Sequence, residues 1–231
     1  MMSIPESPPE TPTVGGLQQS ADLPRHFPSR PHQVMIAAMP LSPSTLTRDE
    51  QRRILAITLQ DPEHLRDHML LAVALGTGLR LHEILALNVG DIARDGKPRS
   101  RVRLRVAKGG RTADIFLPRR LQTKLRRFLV WKARGGESLE PDAPLLVSAL
   151  GRRLSKRRAQ QVFTDWQERA GLDQRHTFHQ LRHSAVNGVY RETKDILLTQ
   201  RFARHSSLLV TSAYLHPTDE DLARSVQKIR C

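Results

Sequence analysis

One cysteine, Cys231, occurs in 231 residues, so the chain can build neither a disulfide framework nor a cysteine-based metal cluster. No apolar run approaches the ~18 residues of a membrane span, and the N-terminus has no apolar stretch of the secretory type. These absences exclude disulfide-stapled, membrane-spanning and secreted proteins. Aromatic residues are scarce at 4%, with only two Tyr, Tyr190 and Tyr214. Hydrophobic residues make up 39%, below the globular average. Part of that shortfall is local, because nine of the fifteen Pro fall within the first 43 residues.

What the chain has instead is positive charge, +14 in all. Residues 1–47 carry Arg25 and Arg30 against Glu6, Glu10 and Asp22, while the remainder holds 35 basic and 20 acidic residues, a balance of +15. Arg outnumbers Lys 30 to 7. A guanidinium is a rigid fork of donors matched to phosphate oxygens, and a body at +15 attracts polyanions and releases counterions on binding them. A GC-rich coding sequence also enriches Arg, so composition alone only inclines the chain toward nucleic acid.

Residues 1–44 are dense in Pro, Ser and Thr without sustained periodicity, the pattern of a disordered or loosely attached leader. The folded part, 45–231, opens at Thr47-Arg-Asp-Glu50, which has the form of a capping box. One amphipathic helix follows to about Leu59. Asp61-Pro62 starts a second from Glu63 to about Leu75, ended by Gly76 and Gly78, and a short helix spans roughly Leu81–Leu87. Over Arg101–Lys108 the apolar Val102, Leu104 and Val106 alternate with Arg101, Arg103 and Arg105, a strand with one basic face. Gly109-Gly110 turns it, and Ala113–Leu117 returns. Helical spacing resumes from Leu121 to Trp131 and stops at Gly135-Gly136; Ser155 caps a helix to about Ala170, ended by Gly171. Short helices are expected over 179–191, 194–203, 207–215 and 218–230. The fold class is mostly α with a small antiparallel β-sheet (α+β).

The sharpest local pattern is His176-Thr-Phe-His-Gln-Leu-Arg-His183. Residues three and four apart share a helix face, so His179, Arg182 and His183 project together. Two imidazoles and a guanidinium suit an anionic oxygen with proton traffic beside it. A His pair at this spacing can also bind zinc, but no third ligand lies nearby and the intervening Arg would repel a dication; a plain surface helix remains open too. Further on, Ala203-Arg-His-Ser-Ser207 precedes Tyr214, with a helix break expected at Ser206 or Ser207. Upstream, Thr77-Gly-Leu-Arg80 places Arg80 behind a glycine turn with Glu83 positioned to hold its guanidinium, and Lys108 sits at the hairpin tip. Taken singly, each has an ordinary structural explanation.

In this order they resemble the tyrosine recombinase (phage-integrase) family, whose signature is Arg, Lys, His-x-x-Arg, His or Trp, and Tyr. The matching positions are Arg80, Lys108, His179, Arg182, His205 and Tyr214, over a likeness covering about residues 45–225. The resemblance implies a site-specific DNA recombinase that cuts and rejoins strands through a 3′-phosphotyrosyl intermediate on Tyr214, without metal or other cofactor. Arg80, Arg182 and His205 would hold the phosphate, Lys108 would protonate the leaving oxygen, and His179 would accept the tyrosine proton. Glu83 and His183 would be supporting residues. Arg101, Arg103, Arg105 and Arg111 on the hairpin, with Lys156, Arg157 and Arg158, are the candidate DNA contacts. The implied partners are double-stranded DNA, a homotetramer on paired sites that exchanges the helix at 218–230 unless that helix packs on its own domain, and an accessory DNA-binding protein; the location is the cytoplasm, at the nucleoid. Two departures stand out. Arg204 takes the place of a Gly suited to a turn with φ > 0, and no full core-binding domain precedes residue 45. These motivate an alternative, a catalytically weakened DNA-binding relative with a regulatory role; a relaxing topoisomerase of the same chemistry is a third reading.

Overall fold

The computed structural model describes residues 45–60, 62–104, 113–205, 207–208, 211, 223 and 226–227. Outside the described residues lie the expected leader (1–44), the hairpin tip with Arg105, Lys108 and Arg111, Tyr214, and all but Ala223, Val226 and Gln227 of the expected helix over 218–230.

Helix α1 (Arg48–Gln60) begins at the anticipated capping box: Glu50 N–H bonds Thr47 Oγ1 at 3.2 Å and Thr47 N–H bonds Glu50 Oε2 at 2.7 Å. A 3₁₀ turn, Pro62–His64, then leads into α2 (Leu65–Thr77). The expected α-helical first turn at Glu63 is thus tighter than anticipated. From Met69 to Ala74 every side chain of α2 is at most 5% exposed. A helix apolar on all sides is a central helix, and α1, α5, α6 and α7 all pack against it. Gly76 does not end α2 but lies within it, where a Cβ would come 3.0 Å from Leu121 Cδ2; Gly78 ends it.

Helix α3 (Leu81–Ala86) is followed by α4 (Val89–Ile92), unanticipated although Asn88 and Asp91 form its capping pair, with Asn88 N–H on Asp91 Oδ2 at 2.9 Å. A small ribbon also went unanticipated: β1 (Ala93–Arg94) pairs antiparallel with β2 (Lys97–Pro98). Its turn is Asp95-Gly96, both at positive φ (51° and 70°), as a two-residue hairpin of the Asp-Gly type requires. The expected hairpin is β3 (Arg101–Leu104) against β4 (Ala113–Phe116), with Arg101 opposite Phe116 and Leu104 opposite Ala113. Val102 and Leu104 are buried and Arg101 and Arg103 exposed, as the period-two pattern dictates.

Helix α5 (Arg119–Arg134) buries Leu121, Leu125, Phe128 and Leu129 on one stripe; full burial of such a side chain contributes about 1.5–3 kcal/mol. Helix α6 (Lys156–Arg169) is capped by Ser155, whose hydroxyl accepts from Arg158 N–H at 3.1 Å. Helices α7 (Phe178–Thr193) and α8 (Ile196–Ala203) complete the described elements. The class is mostly α with small antiparallel ribbons. No described helix is long and apolar enough to cross a membrane.

The core also contains a titratable chain. Buried His68 lies between Thr58 Oγ1 (2.9 Å from Nδ1) and Lys124 Nζ (2.8 Å from Nε2), and the Thr58 hydroxyl donates to Ile54 O at 2.8 Å. An ammonium can only donate, so Nε2 is the acceptor and Nδ1 carries the proton. Burial, then the Lys124 and Arg127 charges, push the imidazole down to about 4. The unfolded chain therefore binds this proton more readily. Stability is complete above pH 6.5 and falls as pH drops from 6.5 toward 4. Urea midpoints at pH 7.5 and 4.5 should show a loss of about 2–3 kcal/mol from this site, and His68→Gln should flatten the slope. An unchanged slope in that variant would sink the assignment.

Candidate active site

Three stretches far apart in sequence meet at one point. The first is the end of α2. Gly78 adopts φ +60°, its N–H bonds Ala74 O at 3.0 Å, and a Cβ there would come 2.9 Å from Phe202 Cε1 on α8. Only glycine permits both the turn and that approach. Two residues on, Arg80 precedes α3; its N–H bonds Glu83 Oε2 at 2.7 Å, and its guanidinium Nη1 lies 3.4 Å from Oε1. The Arg80 side chain is 41% exposed and that of Glu83 only 5%.

The second stretch is the start of α7, where Thr177 and Gln180 form a reciprocal cap. His179, Arg182 and His183 share a face as expected, but they are not equally accessible. Arg182 is 3% exposed and donates Nη1 to Gly78 O and Nη2 to Ala203 O. Those carbonyls terminate α2 and α8, where helices present unpaired acceptors and the negative ends of their dipoles. One guanidinium thus fastens two helix C-termini. The rings of His179, which is exposed, and His183 meet edge to face with centroids 4.5 Å apart.

The third stretch is the turn after α8. Arg204 caps α8 in the left-handed region at φ 54°, ψ 42°, the conformation a Gly would supply. Its guanidinium Nη2 lies 2.7 Å from Glu83 Oε2. Next to it, His205 N–H bonds Gln200 O at 3.2 Å, and its Nδ1 lies 3.0 Å from the hydroxyl of buried Thr211.

The electrostatics follow from three guanidiniums and one carboxylate in a partly dry pocket. Burial, then the charges of Arg182, Arg80 and Arg204, push His205 down to about 4. Burial, then His179 and Arg182, push His183 down to about 4. Burial, then Arg182 and Arg80, lower His179 as well. At neutral pH the three imidazoles are uncharged, able to accept or donate hydrogen bonds, and the positive field comes from arginine. The chemistry of such a pocket suits a monoanionic group and the build-up of further negative charge on it.

Of the site residues expected from sequence, Arg80, Glu83, His179, Arg182, His183 and His205 come together here. Lys108 and Tyr214 lie outside the described residues, as do Arg105 and Arg111. Arg101 and Arg103 are exposed on β3 but face Asp114 at 3.4 and 3.6 Å, and Arg101 also covers the Phe116 ring at 5.0 Å. Lys156, Arg157 and Arg158 are exposed on the first turn of α6, where their charge opposes the helix dipole. The residue that sequence reasoning undervalued is Arg204. Its signal was present as a non-Gly at a turn of positive φ, yet nothing in the sequence indicated that its guanidinium would reach Glu83, 121 positions away. Among the described residues, no group of three or more His, Cys, Asp or Glu is arranged to hold a metal ion.

Known proteins resemble this chain in sequence and in fold. The profile of the Phage integrase family matches residues 44–221. The chain is 30% identical over 183 residues to the tyrosine recombinase XerC of Proteus mirabilis, covering 79% of this chain and 57% of that protein. It is 31% identical over 188 residues to XerC of Escherichia coli O127:H6, covering 78% and 58% respectively. The chain therefore spans somewhat more than half the length of these curated relatives. The crystal structure of XerA recombinase superposes with a TM-score of 0.68 at 25% identity, covering 83% of this chain and 68% of that one. A post-cleavage complex of XerH recombinase with its difH substrate shares the fold, with a TM-score of 0.65 at 20% identity over 81% of this chain and 53% of that one. Since all six signature positions fall in order within the matched stretch, and four of them meet around one cationic pocket, the chain belongs to the phage integrase family of tyrosine recombinases.

Proposed function

We propose that the protein is a site-specific DNA recombinase, with residues 45–231 as its catalytic domain. The Tyr214 oxygen attacks the scissile phosphorus as the P–O5′ bond breaks, and the enzyme holds the 3′-phosphate as a tyrosyl ester. His179 takes the phenolic proton, and Lys108 protonates the departing 5′-oxygen. Attack by a 5′-hydroxyl of the partner strand reverses these steps and rejoins the DNA. Arg80 and His205 donate to the non-bridging oxygens, and Arg182 adds its buried charge while holding the pocket closed. His183 packs against His179 and fixes its ring. Arg101, Arg103, Arg105, Arg111, Lys156, Arg157 and Arg158 contact the DNA backbone. Four copies assemble on two duplexes, helped by an accessory DNA-binding protein, in the cytoplasm at the nucleoid.

One observation carries this proposal: a half-exposed guanidinium, a buried one and two imidazoles of the signature, from three separate segments, converge on one pocket. The test is a duplex nicked beside the cleavage site, from which the short product strand diffuses away. A covalent protein–DNA adduct should accumulate, and mass spectrometry should map it to the peptide containing Tyr214. No adduct on the natural site, or an adduct on another residue, would overturn the proposal.

A further inference from the structure

Two arginines share the Glu83 carboxylate unequally. Arg204 binds Oε2 at 2.7 Å with its side chain 12% exposed, whereas the Arg80 guanidinium stands 3.4 Å from Oε1 and is 41% exposed. Arg80 also spends its backbone N–H, not its guanidinium, on the shorter contact, at 2.7 Å. A buried carboxylate must be neutralised by a cation at close range. Here the closer cation is Arg204. A second oddity concerns the same side chain: its Nη1 is buried with no hydrogen-bond partner among the described residues, a cost that a purely structural ion pair ordinarily avoids. A third is that an arginine holds a left-handed backbone, where glycine fits without strain.

We infer that Arg204 is a positioning residue: by neutralising Glu83 it leaves the Arg80 guanidinium available to the phosphate, and it ties the His205 turn to the start of α3. This rests on the strand-cleavage function proposed above and goes beyond it by assigning a role to a residue outside the signature. Without Arg204 the full charge of Glu83 would act on Arg80. The two would close into a tight pair in a partly dry pocket, and the phosphate would have to break that pair before Arg80 could serve it. Position 204 would then also lose its only described link to α3.

Arg204→Gly is the clean variant, because glycine adopts this φ without strain and the turn is preserved. Two readouts separate the inference from the function it rests on. The first needs no catalysis: phenylglyoxal modification of Arg80, followed by mass spectrometry. Modification should slow about tenfold in Arg204→Gly as Arg80 closes on Glu83, and return to the wild-type rate in Arg204→Gly/Glu83→Gln, where the attracting charge is gone. The second is single-turnover cleavage at saturating DNA. Arg204→Gly should lose about thirtyfold in rate with little change in DNA affinity. Arg204→Lys should recover most of it, and Arg204→Gly should cost nothing further in a Glu83→Gln background. Unchanged Arg80 reactivity in Arg204→Gly, or a rate loss of equal size with and without Glu83, would overturn the inference even if cleavage itself is confirmed. A wild-type protein that forms no adduct, yet shows the Arg80 reactivity pattern, would overturn the strand-cleavage function and leave the Glu83 clamp standing.

Discussion

Arg182→Met is expected to destabilise the protein by about 3 kcal/mol and to abolish strand cleavage together. The two losses share one cause. Arg182 is 3% exposed, and its two terminal nitrogens satisfy Gly78 O, on the cap residue of α2, and Ala203 O, at the end of α8. A thioether of similar length fills the space but leaves both carbonyls buried without donors, each at a cost of about 1–3 kcal/mol. It also removes the cation that complements two helix dipoles. The urea midpoint should therefore fall at unchanged m-value. Arg182→Lys should land between, since an ammonium is a point charge that cannot span two carbonyls as a fork does. A midpoint for Arg182→Met within experimental error of wild type would show that the guanidinium does not hold those helix ends.

Arg80→Ala, by contrast, should separate activity from stability. Its guanidinium is 41% exposed and 3.4 Å from Glu83, a pair of little energetic consequence. Glu83 keeps Arg204 and the backbone N–H of position 80, so nothing buried is orphaned. Stability should stay within about 1 kcal/mol of wild type. The cleavage rate at saturating DNA should fall about 10²- to 10³-fold, the usual consequence of losing one donor to a developing oxyanion. The salt dependence of binding should weaken by about one phosphate contact. If Arg80→Ala weakened binding alone and left the saturated rate intact, Arg80 would be a ground-state anchor, and transition-state stabilisation would have to come from elsewhere in the pocket.

Much of the architecture was legible because it rests on local chemistry. Thr47 with Glu50, Ser155 before α6 and the alternation through Val102 and Leu104 are rules written over two to four residues, and the backbone obeyed them. Asp95-Gly96 is an equally local signal, but the strands it joins are two residues each, too short to show a period of their own. The second helix lies where the spacing predicts it, but it opens on a 3₁₀ turn and, of the two glycines expected to end it, Gly78 does so and Gly76 does not. Gly76 faces Leu121 across a helix contact, a packing requirement that no local pattern expresses.

The site divides along the same line. The kinds of residue and their order along the chain, an arginine behind a glycine turn, a His-x-x-Arg on a helix, a His after another, were fixed by sequence and sufficed to indicate the family. Which arginine is buried and which half-exposed, that Arg182 fastens two helix ends, and that Glu83 answers to Arg204 more closely than to Arg80 were decided only in three dimensions. The reason is physical. Helix faces, caps and strand alternation follow from interactions between near neighbours, whereas burial, and the partner a carboxylate finds when it leaves water, depend on groups that only the folded chain brings within reach.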